Sequence, residues 1–302
     1  MPQVLITGGT GLVGRHLCQR LLEKGYGVSV LGRRAAEINE ISSYTWSWSK
    51  GKIDSEAVRP ADFIVHLAGA GIAEKKWTVN RRKIIIDSRV KTAQLILDVI
   101  NEKSLKPKAF ISASAIGYYG AISSDKIFAE NDPPAKDFLG ETCRQWEEMA
   151  DRFENAGIRT VKVRTGVVLT DHGGALEKMM TPVKIGIGSA IGSGEQYMPW
   201  IHIDDLCGIY IKAIEDNVMR GPYNAVAPEH VTNKEFTRTL ARVMKRPFLF
   251  PNVPSIAMKM IFGKMSEILL KGSRVSPEKI VSAGFNFKYS NLEKALSHLV
   301  GK

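Results

Sequence analysis

Gly9, Gly11 and Gly14 stand in the spacing Gly-x-Gly-x-x-Gly, directly after an apolar run at 4–6 and directly before a helical pattern at 12–22. A buried strand must turn sharply into a helix here. Glycines let the backbone bend and approach a pyrophosphate, whose charge then sits on the free N–H groups of the helix start. The whole turn, Gly8, Gly9, Thr10, Gly11, Leu12, Val13 and Gly14, is the expected cradle for a dinucleotide. A second apolar run, 28–31, ends in Gly32, Arg33 and Arg34, without the carboxylate that usually bonds a ribose 2′-hydroxyl at this place. A guanidinium there grips a 2′-phosphate through paired charge-assisted bonds, so the expected cofactor is NADP, with Arg33 the better placed arginine.

The elements that must position these groups recur along the chain. Buried runs at 62–68, 109–113 and 160–164 alternate with helical stretches at 77–103 and 139–155. Strands alternating with helices imply a parallel sheet covered on both faces, because each parallel crossover needs a connection long enough for a helix. The expected fold is a doubly wound α/β sheet of Rossmann type. Beyond residue 168 the rhythm changes: Gly173, Gly174, Gly186, Gly188, Gly192 and Gly194 mark an irregular region, a helix opens near Asp204, and 223–226 returns as a strand. Helical patterns at 232–245 and 255–271 then build a smaller substrate lobe. The organisation read from this pattern is a dinucleotide-binding domain over 1–170, with later sheet elements from 171–230, and a small basic C-terminal lobe over 231–302.

Composition narrows the class. At 302 residues and 44% hydrophobic, the chain can bury a substantial core. Cys18, Cys143 and Cys207 are too few and scattered for a disulfide framework, and the six histidines show no metal-ligand spacing, so no metal is expected. No signal-like start and no membrane-spanning run is evident, which reads as cytoplasmic. The formal net charge is +11, and residues 245–302 hold ten Lys/Arg against three Asp/Glu. No nucleic-acid-binding motif accompanies that charge, so a phosphorylated or anionic small molecule is the expected partner rather than nucleic acid. Met258, Ile261, Met265, Ile268 and Leu269 recur near helical spacing beside lysines. Such a stripe serves lobe core or an interface more readily than stable membrane association.

The turn at 7–14, His66-Leu67-Ala68-Gly69, Ser112-Ala113-Ser114, Tyr118-Tyr119-Gly120 and Trp200-Ile201-His202-Ile203-Asp204-Asp205-Leu206 together resemble the extended short-chain dehydrogenase/reductase superfamily. Gly117-Tyr118-Tyr119-Gly120, Arg164-Thr165-Gly166-Val167-Val168-Leu169 and the Pro199 to Leu206 phrase are similar to its atypical epimerase-family subgroup, which ends in a small C-terminal domain. The resemblance implies that Leu67, Ala68 and Gly69 border the adenosine and pyrophosphate half of the cofactor, that Arg89 contacts it, and that Val163 and Arg164 approach the nicotinamide.

One departure from that pattern bears on chemistry. Ordinary members carry Tyr-x-x-x-Lys on the helix after the fifth strand, where the lysine lowers the tyrosine pKa for proton transfer. With Glu147 as the glutamate that follows the pair, the matching positions are Leu139 and Cys143. Neither does that work. Ser114 remains to bond a reacting oxygen, Tyr118 or Tyr119 is the substitute proton donor, and Glu141 could orient one of them. Asp204 or Asp205 is expected to cap the following helix. Two functions remain open: an NADP-dependent oxidoreductase or epimerase acting on a small polar substrate, and a noncatalytic NADP-binding regulator that docks a partner.

Overall fold

The computed structural model describes residues 1–35 and 41–301. β1 (Gln3–Thr7), α1 (Leu12–Glu23) and β2 (Gly27–Gly32) form the first βα unit, and β3 (Ser42–Ser47) and β4 (Lys52–Ile53) extend the sheet to one edge. β5 (Phe63–His66), α2 (Val79–Glu102), β6 (Ala109–Ala115), the short β7 (Ile127–Phe128), α3 (Phe138–Asn155) and β8 (Arg159–Thr165) continue the alternation. The eight-stranded order is β11-β8-β6-β5-β1-β2-β3-β4, where β11 is Gly221–Ala225. Every pairing in it is parallel except β3 with β4. The expected α/β architecture is what forms, and the chain reverses direction across the sheet between β1 and β5.

Each face of the sheet carries its own core. Val4, Ile6, Val30 and Val65 point toward Leu17 and Leu21 of α1 and toward Ile209 and Ile214 of α5 (Ile203–Glu215). Leu5, Leu31, Ile64 and Phe110 point the other way, against Ile96, Leu97 and Ile100 of α2 and Phe153 of α3. Adjacent strand residues thus serve opposite layers, as the twofold repeat of a strand requires. That is why these strands read as continuous apolar runs.

The C-terminal lobe shares its core with the segment before it. β9 (Val167–Leu169) pairs in parallel with β10 (Trp200–His202), and α4 (Gly174–Lys184) lies between them in sequence. Leu169, Leu176 and Trp200 pack with Phe236 and Leu240 of α6 (Asn233–Val243) and with Leu296 of α10 (Leu292–Val300). The helical stretch expected over 255–271 is interrupted: α7 (Ser255–Phe262) stops at Gly263, whose φ of +57° suits glycine, and a short turn leads into α8 (Glu267–Leu270). β12 (Arg274–Val275) then pairs with β7, tying the lobe to the segment that follows β6, and α9 (Glu278–Ser282) packs near β11.

The cap of α5 corrects one expectation. His202, not Asp204 or Asp205, is the capping residue, and its Nδ1 accepts the Asp204 N–H at 3.0 Å. The helix starts two or three residues earlier than a cap at Asp204 or Asp205 would require. Asp204 instead accepts from His16 at 2.8 Å, and Asp205 accepts the Lys288 and Tyr289 N–H groups, which fasten the final segment to α5.

Candidate functional site

The glycines of the first turn are demanded by different things. A Cβ on Gly14 would lie 2.3 Å from the Gly8 carbonyl oxygen, and one on Gly9 would lie 2.4 Å from Val30 Cγ1. Gly8 has φ +71°, and a Cβ there would lie 3.1 Å from the Leu67–Ala68 backbone. Those three are required by the fold itself. Gly11 has an ordinary φ of −77° and meets only the Gly8 oxygen, at 3.2 Å. The space beside it is open. Gly11 also caps α1 without a side-chain hydrogen bond, and no carboxylate occupies the first turn of the helix. The first N–H groups of α1 and its positive dipole end therefore face the open side of the turn, as an anion site needs.

The floor of this turn is held by a chain of buried bonds. The Ala68 N–H donates to Thr7 Oγ1 at 3.1 Å, and the Thr7 hydroxyl faces His66 Nδ1 at 2.9 Å. His66 Nε2 faces the Arg89 carbonyl at 3.3 Å, which sets the tautomer: Nε2 donates, and Nδ1 accepts from Thr7. Burial lowers the His66 pKa to about 4, so the ring is neutral. Beyond it, the Ala70 N–H donates to Ser88 Oγ at 2.9 Å, and Arg89 Nη1 donates to the Ala70 and Ile85 carbonyls. A Cβ on Gly69 would lie 2.9 Å from the Arg89 guanidinium carbon, which itself lies 4.7 Å from the centre of the Trp146 ring. Burial pulls the Arg89 pKa down to about 10, so it stays charged at neutral pH. Arg33 and Arg34 are exposed beyond β2 and make no hydrogen bond or ion pair with another described residue.

From Arg89 a cleft of about 290 Å3 runs along the carboxyl ends of β6 and β8 and under the C-terminal lobe. Its walls include Ile72, Ile116, Leu139, Met198, Ile268 and Val275, with Lys271 and Ser273 contributed by the lobe. The body is apolar. Leu139 and Cys143, the positions expected to match the Tyr/Lys pair, face the turn after β6: a Cβ on Gly117 would lie 3.5 Å from Leu139 Cβ and 3.7 Å from Cys143 Sγ. Burial raises the Cys143 thiol to about 12, which keeps it protonated and inert.

The expected acid–base residues are committed to the protein. Ser114 is buried and donates to Glu147 Oε1 at 2.7 Å, instead of presenting its hydroxyl to the cleft. Arg164 holds the same carboxylate through Nε and Nη2, both at 2.8 Å. It belongs to this buried pair and not to the cleft wall. Burial works against the charge of Arg164, but the bonds and charge of Glu147 outweigh it and hold the guanidinium above its ordinary pKa. Its planar face lies 3.5 Å from the centre of the Tyr118 ring. Arg164 Nη1 also donates to Tyr119 Oη at 2.9 Å, and that hydroxyl in turn donates to Asn224 Oδ1 at 2.7 Å. Burial raises both tyrosines, Tyr119 to about 12. Val163 is core.

The residues of this region that do line the cleft are Thr165, Gly166 and Val167. They come just after the expected pair because β8 continues to Thr165 before the chain turns. Ligands gather outside the carboxyl ends of such strands, and that rule, applied one turn later, would have found them. Glu141 lies away from the tyrosines, where hydrogen bonds from Arg144 and then Gln145 lower its pKa to about 2. Among the described residues no cluster of three or more His, Cys, Asp or Glu side chains could hold a metal ion, and no helix is long and apolar enough to cross a membrane.

Residues 4–226 match the NAD dependent epimerase/dehydratase family. The chain belongs to that family. Residues 253–299, most of the lobe, match a domain of unknown function, DUF1731. Epimerase family protein YfhF of Bacillus subtilis (strain 168) is 38% identical over 299 residues, which is 98% of this chain and 97% of that protein. The crystal structure of human epimerase family protein SDR39U1 (isoform 2), with NADPH, has a TM-score of 0.89 and 33% identity, covering 99% of each chain. That of the nucleoside-diphosphate sugar epimerase from Corynebacterium glutamicum has a TM-score of 0.81 and 31% identity, covering 100% of this chain and 59% of that one. This member of the family combines an open glycine turn with a cleft that Leu139 and Cys143 help to line.

Proposed function

We propose that this chain is an NADP(H)-dependent oxidoreductase that reduces a small, largely apolar carbonyl compound and takes the accompanying proton from water. The observation that carries the reading is the open side of the first turn. Gly11 is not needed for its φ, and a side chain there would press only on the Gly8 carbonyl oxygen, so its absence leaves room for a pyrophosphate on the first N–H groups of α1. The residues that would hold the dinucleotide are Gly9 to Val13 at the pyrophosphate, Leu67 to Gly69 with Arg89 beside the adenosine side, and Arg33, with Arg34, at the 2′-phosphate. NADPH in the related human structure agrees with this choice. When bound, the cofactor supplies a hydride.

The chain's own residues then define the reaction. An epimerase that oxidises a sugar alcohol needs a base for the hydroxyl proton, and the positions for it hold Leu139 and Cys143. Reduction of a carbonyl asks for less: the developing oxyanion needs a donor, and water at the mouth of the cleft would serve. Ile116, Leu139, Met198 and Val275 would exclude bulk water around the ligand body. This lining is what favours an apolar ligand body over a small polar one. A second reading, the noncatalytic NADP-binding regulator, is favoured by one observation: the Ser114 and Tyr119 hydroxyls are both satisfied within the protein.

The deciding experiment is NADPH oxidation against a panel of ketones, aldehydes and nucleotide sugars. Turnover on apolar carbonyl compounds, retained within a few fold in Tyr119→Phe, is the expected result. Turnover on nucleotide sugars abolished by Tyr119→Phe would restore tyrosine-driven chemistry. Tight NADPH binding without turnover across the panel would establish the regulator instead.

A further inference from the structure

We infer that the outer face of the C-terminal lobe is a docking surface for an anionic lipid bilayer, engaged reversibly from one side of the protein. Two segments build it. The chain after α4 runs parallel to the chain before α7: Ile191 bridges Val253, the Val253 N–H donates to the Ala190 carbonyl at 2.8 Å, and Ser189 Oγ donates to the Pro251 carbonyl. Gly186 lies against Pro247 in the same arrangement. α7 follows at once, anchored inward by Met258.

What these segments turn outward is apolar. Ile185 is 70% exposed, Leu249 85% and Met260 74%, with Ile187, Phe250, Ile256 and Ile261 exposed beside them. Ile256 and Met260 are one helical turn apart on the outer side of α7, with Lys259 next to them. Of the anticipated stripe, Met258 and Met265 are buried while Ile261 is exposed, so the outer face shares only part of it. Contiguous exposed apolar surface on this scale marks an interaction site, whereas single exposed residues do not.

Charge selects the occupant. Residues 178–194 and 244–266 contain six Lys/Arg and no Asp or Glu. Lys184, Lys245, Arg246, Lys259 and Lys264 are exposed and form no ion pair with a described residue. A second copy of this chain would bring the same unpaired cations face to face, which disfavours self-association through the patch. An anionic bilayer satisfies both features: loop-tip Leu249 and Phe250 and the outer side of α7 enter the headgroup layer, and the lysines stay at the lipid phosphates with their stems along the surface.

Vesicle flotation of the full-length protein tests this. With phosphatidylcholine vesicles containing about a third phosphatidylglycerol, at low salt, the protein should float at least tenfold more than with phosphatidylcholine alone. Leu249→Ser combined with Met260→Ser should reduce flotation about tenfold without moving the unfolding midpoint, because both side chains are exposed. Lys259→Glu combined with Lys264→Glu should abolish it, while Lys50→Glu combined with Lys52→Glu, on the opposite sheet edge, should leave it unchanged. Absence of flotation overturns the proposal, including where the patch serves an acidic protein instead. Equal flotation of the serine variant also overturns it, since binding would then be a general effect of net charge.

Discussion

Two ends of this region, the glycine turn and the tip of β6, differ in what they leave unpaired. At the first turn the helix N–H groups of α1 have no side-chain cap, Gly11 leaves space, and Arg33 and Arg34 extend without a partner among the described residues. At the tip of β6 the opposite holds: Ser114, Glu147, Arg164, Tyr119 and Asn224 close into one hydrogen-bonded cluster, of which Tyr119 also reaches the cleft wall. Unpaired polar groups are costly unless water or a ligand meets them, whereas a satisfied buried network stiffens the fold. One end is built for binding and the other for holding shape, and variants at each end should separate accordingly.

The largest effect belongs to the closed end. Glu147→Ala leaves the Arg164 charge buried without its partner, which should cost about 3–5 kcal/mol of stability in urea unfolding. A loss below about 1 kcal/mol would mean that the pair does not organise this end. At the open end, Gly11→Val should abolish binding of NADPH while leaving the unfolding midpoint nearly unchanged. Gly14→Ala should do the reverse, lowering stability by about 1–3 kcal/mol through its clash with the Gly8 carbonyl. Thermal melting with and without cofactor distinguishes them. If Gly11→Val unfolded the chain as Gly14→Ala does, the two glycines would share a purely structural duty.

A smaller effect concerns cofactor choice. Arg33→Ala should weaken NADPH by roughly 1.5–3 kcal/mol and leave NADH nearly unaffected, as calorimetry with both would record. Equal starting affinities would remove the 2′-phosphate grip. The smallest effect, per unit of pH, comes from two buried histidines. His66, under the turn, and His202, at the α5 cap, have pKa values lowered by burial to about 4 from an ordinary 6.5. The unfolded chain takes up the proton first, so their contribution is complete above about pH 6.5 and is lost as the pH falls toward 4. The slope approaches about 1.4 kcal/mol per pH unit for each ring. His66→Gln should flatten it between pH 6.5 and 5; an unchanged slope would place the titration elsewhere.

Much of this was legible in the residue order. The glycine turn, the alternating strands and helices, and the loss of the tyrosine and lysine at Leu139 and Cys143 are local facts, because a turn depends on a few consecutive φ values and a buried strand on a run of apolar side chains. The edge strand β3 was missed: Ser42–Ser47 is half exposed and carries too few apolar residues to stand out. The α5 cap was displaced by two or three residues because histidine nitrogen can accept an N–H as a carboxylate does.

The sequence by itself determined the fold class and the place of the glycine turn between β1 and α1, since each follows from residue type at close spacing. Only the tertiary structure decided which hydroxyls are free. Ser114 and Glu147 are 33 residues apart and Tyr119 and Asn224 are 105 apart. Whether a serine or tyrosine can act on a ligand depends on the partner that folding brings to its oxygen, and no local pattern of residues carries that pairing.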